Sequence, residues 1–444
     1  MAKNNNLTDF LTDVADSIRD KTGTTGTINP QDFSDKIKAI QTGIDTSKGT
    51  ITPDTVLEGK IGFAKEQEVV GTIKTYDGSY RKKVVGTTHI SGFTGLTNSS
   101  GALTLTDDIA GALPYNTISS GTYVVVTSTL DNAYPFNEIG EYTDGNGNVF
   151  ATFPKMYIKW IKASDGTLDG FKCSNMQVDS DYFIPDCFIA PSGNGYVDKI
   201  CIGKYEGSGS SSKVYSKSGA TCLVNITRAN ARSGCRSYGN SSNFYNGYQQ
   251  LDMSMYVLYN MLCMMYYRTA NIQTVYAGRT SFSSAQATGS CDGISGKNGW
   301  NTSTGCVKML NVENPYGNIY KWVDGITFSG ANIYVRKLPS AFDDATSGAI
   351  NLGFSRPTSS SVYIKSLKIG TGVDNSSYVF ASETGTTAST YYGDGYWYSS
   401  SGVVLYVGGG WDNGAGAGLW CLVGIHGASD SHSFIGVRLC GRLT

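Results

Sequence analysis

Apolar residues recur at helical spacing near the start of the chain. Leu7, Phe10, Leu11, Val14 and Ile18 form one stripe over residues 7–20, with Asn6 placed as an N-cap. The run Thr22-Gly23-Thr24-Thr25-Gly26 interrupts it. Asn29-Pro30 then restarts a helix as N-cap and first helical residue, with Phe33, Ile37 and Ile40 on its apolar face and Gly43 at its end. Two helices this short bury little surface by themselves. Residues 1–43 are therefore expected to dock on another chain or another copy, as an attachment or oligomerisation segment.

The pattern then shortens. Val56 and Leu57, then Ile61, Phe63 and Ala64, then Val69, Val70 and Ile73 are separated by Gly59, Gly62 and Gly71. This predicts a small β module over 44–78. Strand-like pieces continue through 79–130, notably Thr122–Thr129, as a β-rich connector. A large domain is expected over 131–444, with strands at Val149–Trp160, Lys199–Tyr205, Ile319–Val323 and Ile333–Leu338. Leu251–Arg268 is apolar nearly all round and holds five of the nine methionines, which predicts a buried core helix. It is too short for a membrane span and carries Asp252 and Asn260. Ile226–Ser237 predicts a second, amphipathic helix. Two helices within a Gly-rich β domain give the class α+β.

Composition narrows the function. Lys and Arg total 35 against 36 Asp and Glu, a net charge of -1, which offers no footprint for nucleic acid or an anionic membrane. The 55 Gly and 29 Tyr fit a loop-rich, β-rich protein with much uncharged polar surface. Three histidines, His89, His426 and His432, argue against multi-histidine zinc catalysis, and no metal or cofactor is expected. The ten cysteines form no C-x-x-C pair. The N-terminus lacks the basic and apolar regions of a secretory signal, so synthesis in a reducing cytoplasm with mostly buried free thiols is expected.

Several segments resemble known families. Asn314–Ile326 (NPYGNIYKWVDGI) resembles the GN-x-x-E-W-V signature of formylglycine-generating-enzyme-like domains, variants of the C-type lectin-like fold. Ile202–Gly207 (IGKYEG) resembles their early "YEVT" strand, and Ile435–Leu439 (IGVRL) their closing "GFRL" strand. The resemblance spans roughly 136–444. The active enzymes bind copper with a close cysteine pair. Cys421 and Cys440 stand nineteen apart, so the likeness implies the fold without the chemistry, and the protein is not expected to be an enzyme. Arg438, in the closing strand, is expected to be a buried ion-pair residue. ADSIRDKTGTTGTINPQDFSDKIKAI (15–40) resembles the N-terminus of many phage tail and baseplate proteins, and GTITPDTVLEGKIGFAKEQEVVGTI (49–73) resembles a repeat of the same proteins, together covering about 7–75.

The last fifty residues are similar to the variable region of diversity-generating retroelement proteins, here about 391–444. In that family Asn codons of the AAY type become NNY codons. Asp412, Gly416, Val423, Ile425, His426, Asp430, His432 and Phe434 stand where Asn is expected, and all are encodable by NNY. Asp430, His432 and Phe434 alternate with serines, so an extended chain puts three unlike side chains on one face. With Gly410, they form the candidate receptor-contact positions among scaffold residues Trp411, Trp420, Leu422, Ile435, Val437 and Leu439. The alternative is an ordinary Gly-rich loop. Tyr391, Tyr392, Asp394, Tyr396 and Tyr398 are a second candidate patch, tyrosine giving large contact area at low entropic cost. The alternative there is strand tyrosines packing a β core.

Two acidic motifs are weighed against calcium. Asp324 and Glu313 are read as surface carboxylates. Asp144-Gly145-Asn146-Gly147-Asn148 lacks the Glu that closes a calcium loop, residue 155 being Lys, and is read as a turn. Together the resemblances imply a phage tail-tip or fibre protein in the virion, made in the host cytoplasm. It would bind a bacterial surface receptor, protein or glycan, alongside other tail proteins. Analogy with related tropism proteins implies a homotrimer. The alternative is a structural baseplate or decoration subunit.

Overall fold

The computed structural model describes residues 7–38, 131, 134–175, 177, 179–238, 244–267, 269–388 and 392–443. It also gives the backbone of the short strands Ile61–Ala64, Gln67–Val70, Val84–Thr88, Thr104–Leu105, Thr117–Ser119 and Thr122–Val124. Asn6, Ile40, Gly43 and most of Thr122–Thr129 lie outside the described residues. The chain divides into two units, Met1–Thr75 and Tyr76–Thr444.

In the first unit the apolar stripe forms helix α1 (Leu7–Thr22). Gly23, at φ +66°, ends it by donating its N–H to the Arg19 carbonyl at 2.8 Å. Asn29 caps a short 3₁₀ turn, Pro30–Asp32, which runs into α2 (Phe33–Lys38). Ala15, Ile18 and Ile28 form a small core with Val14 and Phe33 against it. Phe10 remains 61% exposed and Leu7 72%. The predicted β module is represented by an antiparallel hairpin, Ile61–Ala64 with Gln67–Val70.

The second unit is α+β. A five-stranded antiparallel sheet runs in the order Phe244–Gln250, Leu439–Leu443, Lys199–Gly203, Val149–Pro154, Gly140–Thr143. A nine-stranded sheet is built around the long strand Tyr320–Ser329, which pairs with Asn332–Val335 and Val404–Val407. The same strand takes Ile435–Gly436 in parallel. A four-stranded sheet joins Thr104–Leu105 and Val84–Thr88 to Leu168–Ser174 and Tyr157–Lys162. The expected continuous strand Val149–Trp160 is broken at Lys155-Met156, and its two halves join different sheets.

Helix α3 (Arg228–Arg236) is capped by Thr227, whose hydroxyl accepts the Asn230 N–H at 3.2 Å. Helix α4 (Met253–Tyr267) is buried along its whole length, as its unbroken apolar pattern requires. Asp252 is not a misplaced charge there: its Oδ1 accepts the Met255 N–H at 2.9 Å as an N-cap, and its Oδ2 faces Arg442 at 3.3 Å. Each fully buried Leu or Met on α4 contributes roughly 1.5–3 kcal/mol. No helix among the described residues is long and apolar enough to cross a membrane.

Cys291 and Cys306 form a disulfide, which corrects the expectation of free thiols for that pair. Cys306 opens the strand Cys306–Met309, and the Cys291 N–H is held by Glu313, which pairs with Lys308 of that strand. The other eight cysteines, Cys421 and Cys440 among them, are buried and not disulfide-bonded.

Candidate functional site

The three segments that carry the family resemblance meet in space. Arg438 donates to the carbonyls of Gly203 at 2.8 Å, Lys204 at 3.2 Å, Glu313 at 2.8 Å and Asn314 at 2.9 Å. It is buried as expected, but its partners are backbone carbonyls rather than a carboxylate. Gly207 donates to the Val437 carbonyl at 2.7 Å. Beside this knot Lys321 pairs with Glu206 at 2.8 Å, both fully buried, and burial pushes the Lys321 ammonium down from its usual range.

Asp324 and Glu313 are likewise interior, not surface carboxylates. Asp324 takes Arg232 through both oxygens, at 2.6 and 2.8 Å. Glu313 accepts the N–H groups of Gly289 and Cys291, and burial still pushes its carboxyl up to about 7. Asp144 closes a turn by accepting the N–H groups of Asn146 and Asn148, each at 2.8 Å.

This framework carries a C-terminal loop. Leu422–Gly424 leads out of the nine-stranded sheet and Ile435–Gly436 leads back. Between them Ile425, His426, Asp430, His432 and Phe434 are half-buried, while Ser429, Ser431 and Ser433 are exposed. The alternation is therefore present, with the serines on the outer side. The unlike side chains do have a packing logic: they join a closed circuit of five aromatic rings. His426 stacks on Tyr406 at 5.2 Å between ring centres and lies 4.1 Å from His432. His432 stacks on Phe434 at 5.1 Å, Phe434 meets Tyr320 at 5.9 Å, and Tyr320 meets Tyr406 at 5.0 Å. Asp430 accepts the Gly427 N–H at 2.9 Å and faces His426 Nδ1 at 3.1 Å. Burial, then the neighbouring His432, lowers the His426 pKa from its usual value.

Not every predicted position reaches this face. Val423 is buried in a core cluster with Trp322 and Tyr406. Gly410 and Gly416 are buried backbone, and a side chain at 416 would stand 3.1 Å from the Trp397 ring. Asp412 is exposed. The 391–398 patch is corrected. Tyr392, Asp394 and Tyr396 are core residues, Tyr398 is half-buried, and Tyr391 lies outside the described residues. Asp394 Oδ2 accepts the Trp420 N–H at 2.7 Å, and burial holds its carboxyl well above the usual range. Tyr396 donates to the Pro357 carbonyl at 2.8 Å.

No family model and no curated protein matches the chain. Among solved structures, the chain is similar in part to Treponema denticola variable protein 1. It is 13% identical, with a TM-score of 0.26, over 68% of this chain and 98% of that one.

The sequence reading missed the inner wall of the face. Tyr320 and Tyr406 come from strands distant from the loop in sequence, and the pairings Tyr320↔Ile435 and Tyr406↔Val423 bring them beneath it. Arg356 was missed too. It donates to Gly424, Ser399 and Gly402 carbonyls, each at 3.1 Å, and lies over the rings of Phe328 and Tyr398. A lone arginine before a proline gave no signal of that role.

Proposed function

We propose that the large domain is a C-type lectin-like binding module that recognises a bacterial surface receptor through the 425–434 loop and Asp412. The carrying observation is the division of labour at the C-terminus. Trp420, Leu422, Ile435, Val437 and Leu439 are buried scaffold, while the positions between 425 and 434 stand half-open above an aromatic floor. A rigid framework with chemically varied loop positions suits recognition. The mechanism is non-covalent contact, and several copies on one particle would gain avidity.

On this reading the chain is a phage tail-tip or fibre protein, made in the host cytoplasm and carried in the virion. The N-terminal segment attaches it to other tail proteins or to copies of itself. The exposed Leu7 and Phe10 support such docking. The test is sequencing of the locus and its flanks across a propagated phage population. Variation concentrated at codons 412, 425, 426, 430, 432 and 434, with a near-copy template alongside, supports the reading. An invariant locus without a template, together with a purified chain that does not bind host cells, favours a structural subunit.

A further inference from the structure

The loop brings together two imidazoles and a carboxylate. One ligand atom from each of His426, Asp430 and His432 lies within 4.8 Å of the others. His426 Nδ1 and Asp430 Oδ2 are already 3.1 Å apart. Two donors on a tetrahedral zinc ion, at bond lengths of about 2.05 Å, stand about 3.3 Å apart. Closing the third donor onto the same point therefore takes a shift of about an ångström or so in half-buried side chains.

The backbone beneath is fixed. Val403 donates to the His426 carbonyl at 2.9 Å, and Asn225 and Ile435 donate to the His432 carbonyl at 3.0 and 3.1 Å. Gly427 orients the Asp430 carboxylate, and Tyr406 stacks behind His426. Such outer contacts orient metal ligands. Access is from solvent, the Asp430 side chain being 42% exposed. Among the described residues Cys291, Cys306 and Glu313 also stand together, but there the two sulfurs are joined to each other.

We propose that His426, Asp430 and His432 form a binding site for a divalent first-row transition cation. Two imidazoles and one carboxylate suit zinc, nickel, cobalt or iron(II) rather than calcium or magnesium, which prefer all-oxygen shells. Three protein donors leave at least one coordination position open towards solvent. At that position a carboxylate, imidazole or hydroxyl of a bound partner completes the shell. The metal site itself needs no partner, so it stands or falls separately from the receptor reading.

The test is calorimetric titration of Zn²⁺ into the untagged full chain under non-reducing conditions, without any receptor. One ion per chain is expected, with affinity falling at least ~10-fold in each of His426→Ala, Asp430→Asn and His432→Ala. In parallel, the histidine ring protons are followed by NMR in the unsubstituted chain, which keeps the test open if a variant does not fold. Zn²⁺ should shift two of the three histidine signals and leave that of His89. Absence of stoichiometric uptake, uptake unchanged in His432→Ala, or a shift confined to His89 would overturn the proposal.

Discussion

Arg356 Nη1 donates to the Gly424 carbonyl at 3.1 Å, and so pins the point where the chain leaves the sheet for the loop. The same guanidinium holds the Ser399–Gly402 turn and is sandwiched against Phe328 and Tyr398. Burial lowers its pKa to about 10. Arg356→Ala removes four hydrogen bonds to backbone carbonyls, those of Gly330, Gly424, Ser399 and Gly402, and should cost roughly 2–4 kcal/mol, read as a lower midpoint in denaturant. Arg356→Lys keeps a charge but not the planar fork, and should recover only part of the loss.

A close approach fixes Gly418. Its φ is +152°, and a Cβ there would stand 1.8 Å from Asp394 Oδ1. Gly418→Ala should therefore destabilise the fold by roughly 2 kcal/mol or more. In the Gly418→Ala/Asp394→Ala pair the clash is relieved, so the two losses should fall short of adding. Strict additivity in thermal melts would show that the contact does not govern Gly418.

Glu313 carries a pH prediction. Its folded pKa is about 7 against 4.5 for the free side chain, so the folded state holds this proton more tightly than the unfolded one. Its contribution to stability is fully present below about pH 4.5 and is lost as pH rises through 7, a span of roughly 3 kcal/mol. Glu313→Gln should flatten the fall in unfolding free energy between those limits. An unchanged slope would place the titration elsewhere.

Helix α4 couples the core to the loop. Trp420 Nε1 donates to the Met264 sulfur at 3.1 Å, and Asn260 donates to the Leu419 carbonyl at 2.7 Å. Leu262→Ala, at a fully buried position, should cost roughly 2–5 kcal/mol in chemical denaturation.

Helix α4 was legible in the sequence because an all-round apolar pattern has one physical solution, full burial. The α+β class was legible for a different reason: helical and strand periods do not overlap. The 391–398 patch was not. Period-two alternation says that Tyr392, Asp394 and Tyr396 share a face, but not which face turns inward. Burial was decided by long-range pairing: Tyr396 sits beside Val362 on one side and Leu422 on the other. The 429–434 alternation met the same limit. The aromatic floor that half-covers His432 and Phe434 comes from residues about 25 to 115 positions away, a distance no local pattern spans. The Cys291–Cys306 pairing was equally closed to spacing arguments.

The central claim is that a fixed scaffold carries a tolerant face. A saturation library over 410–439, sorted for folding by protease resistance, tests it most directly. Asp412, Ile425, Asp430, His432 and Phe434 should each accept most residue types. Trp420, Val423, Ile435 and Val437 should accept only a few apolar ones. Equal intolerance at both sets would contradict the account, and would make the loop part of the core.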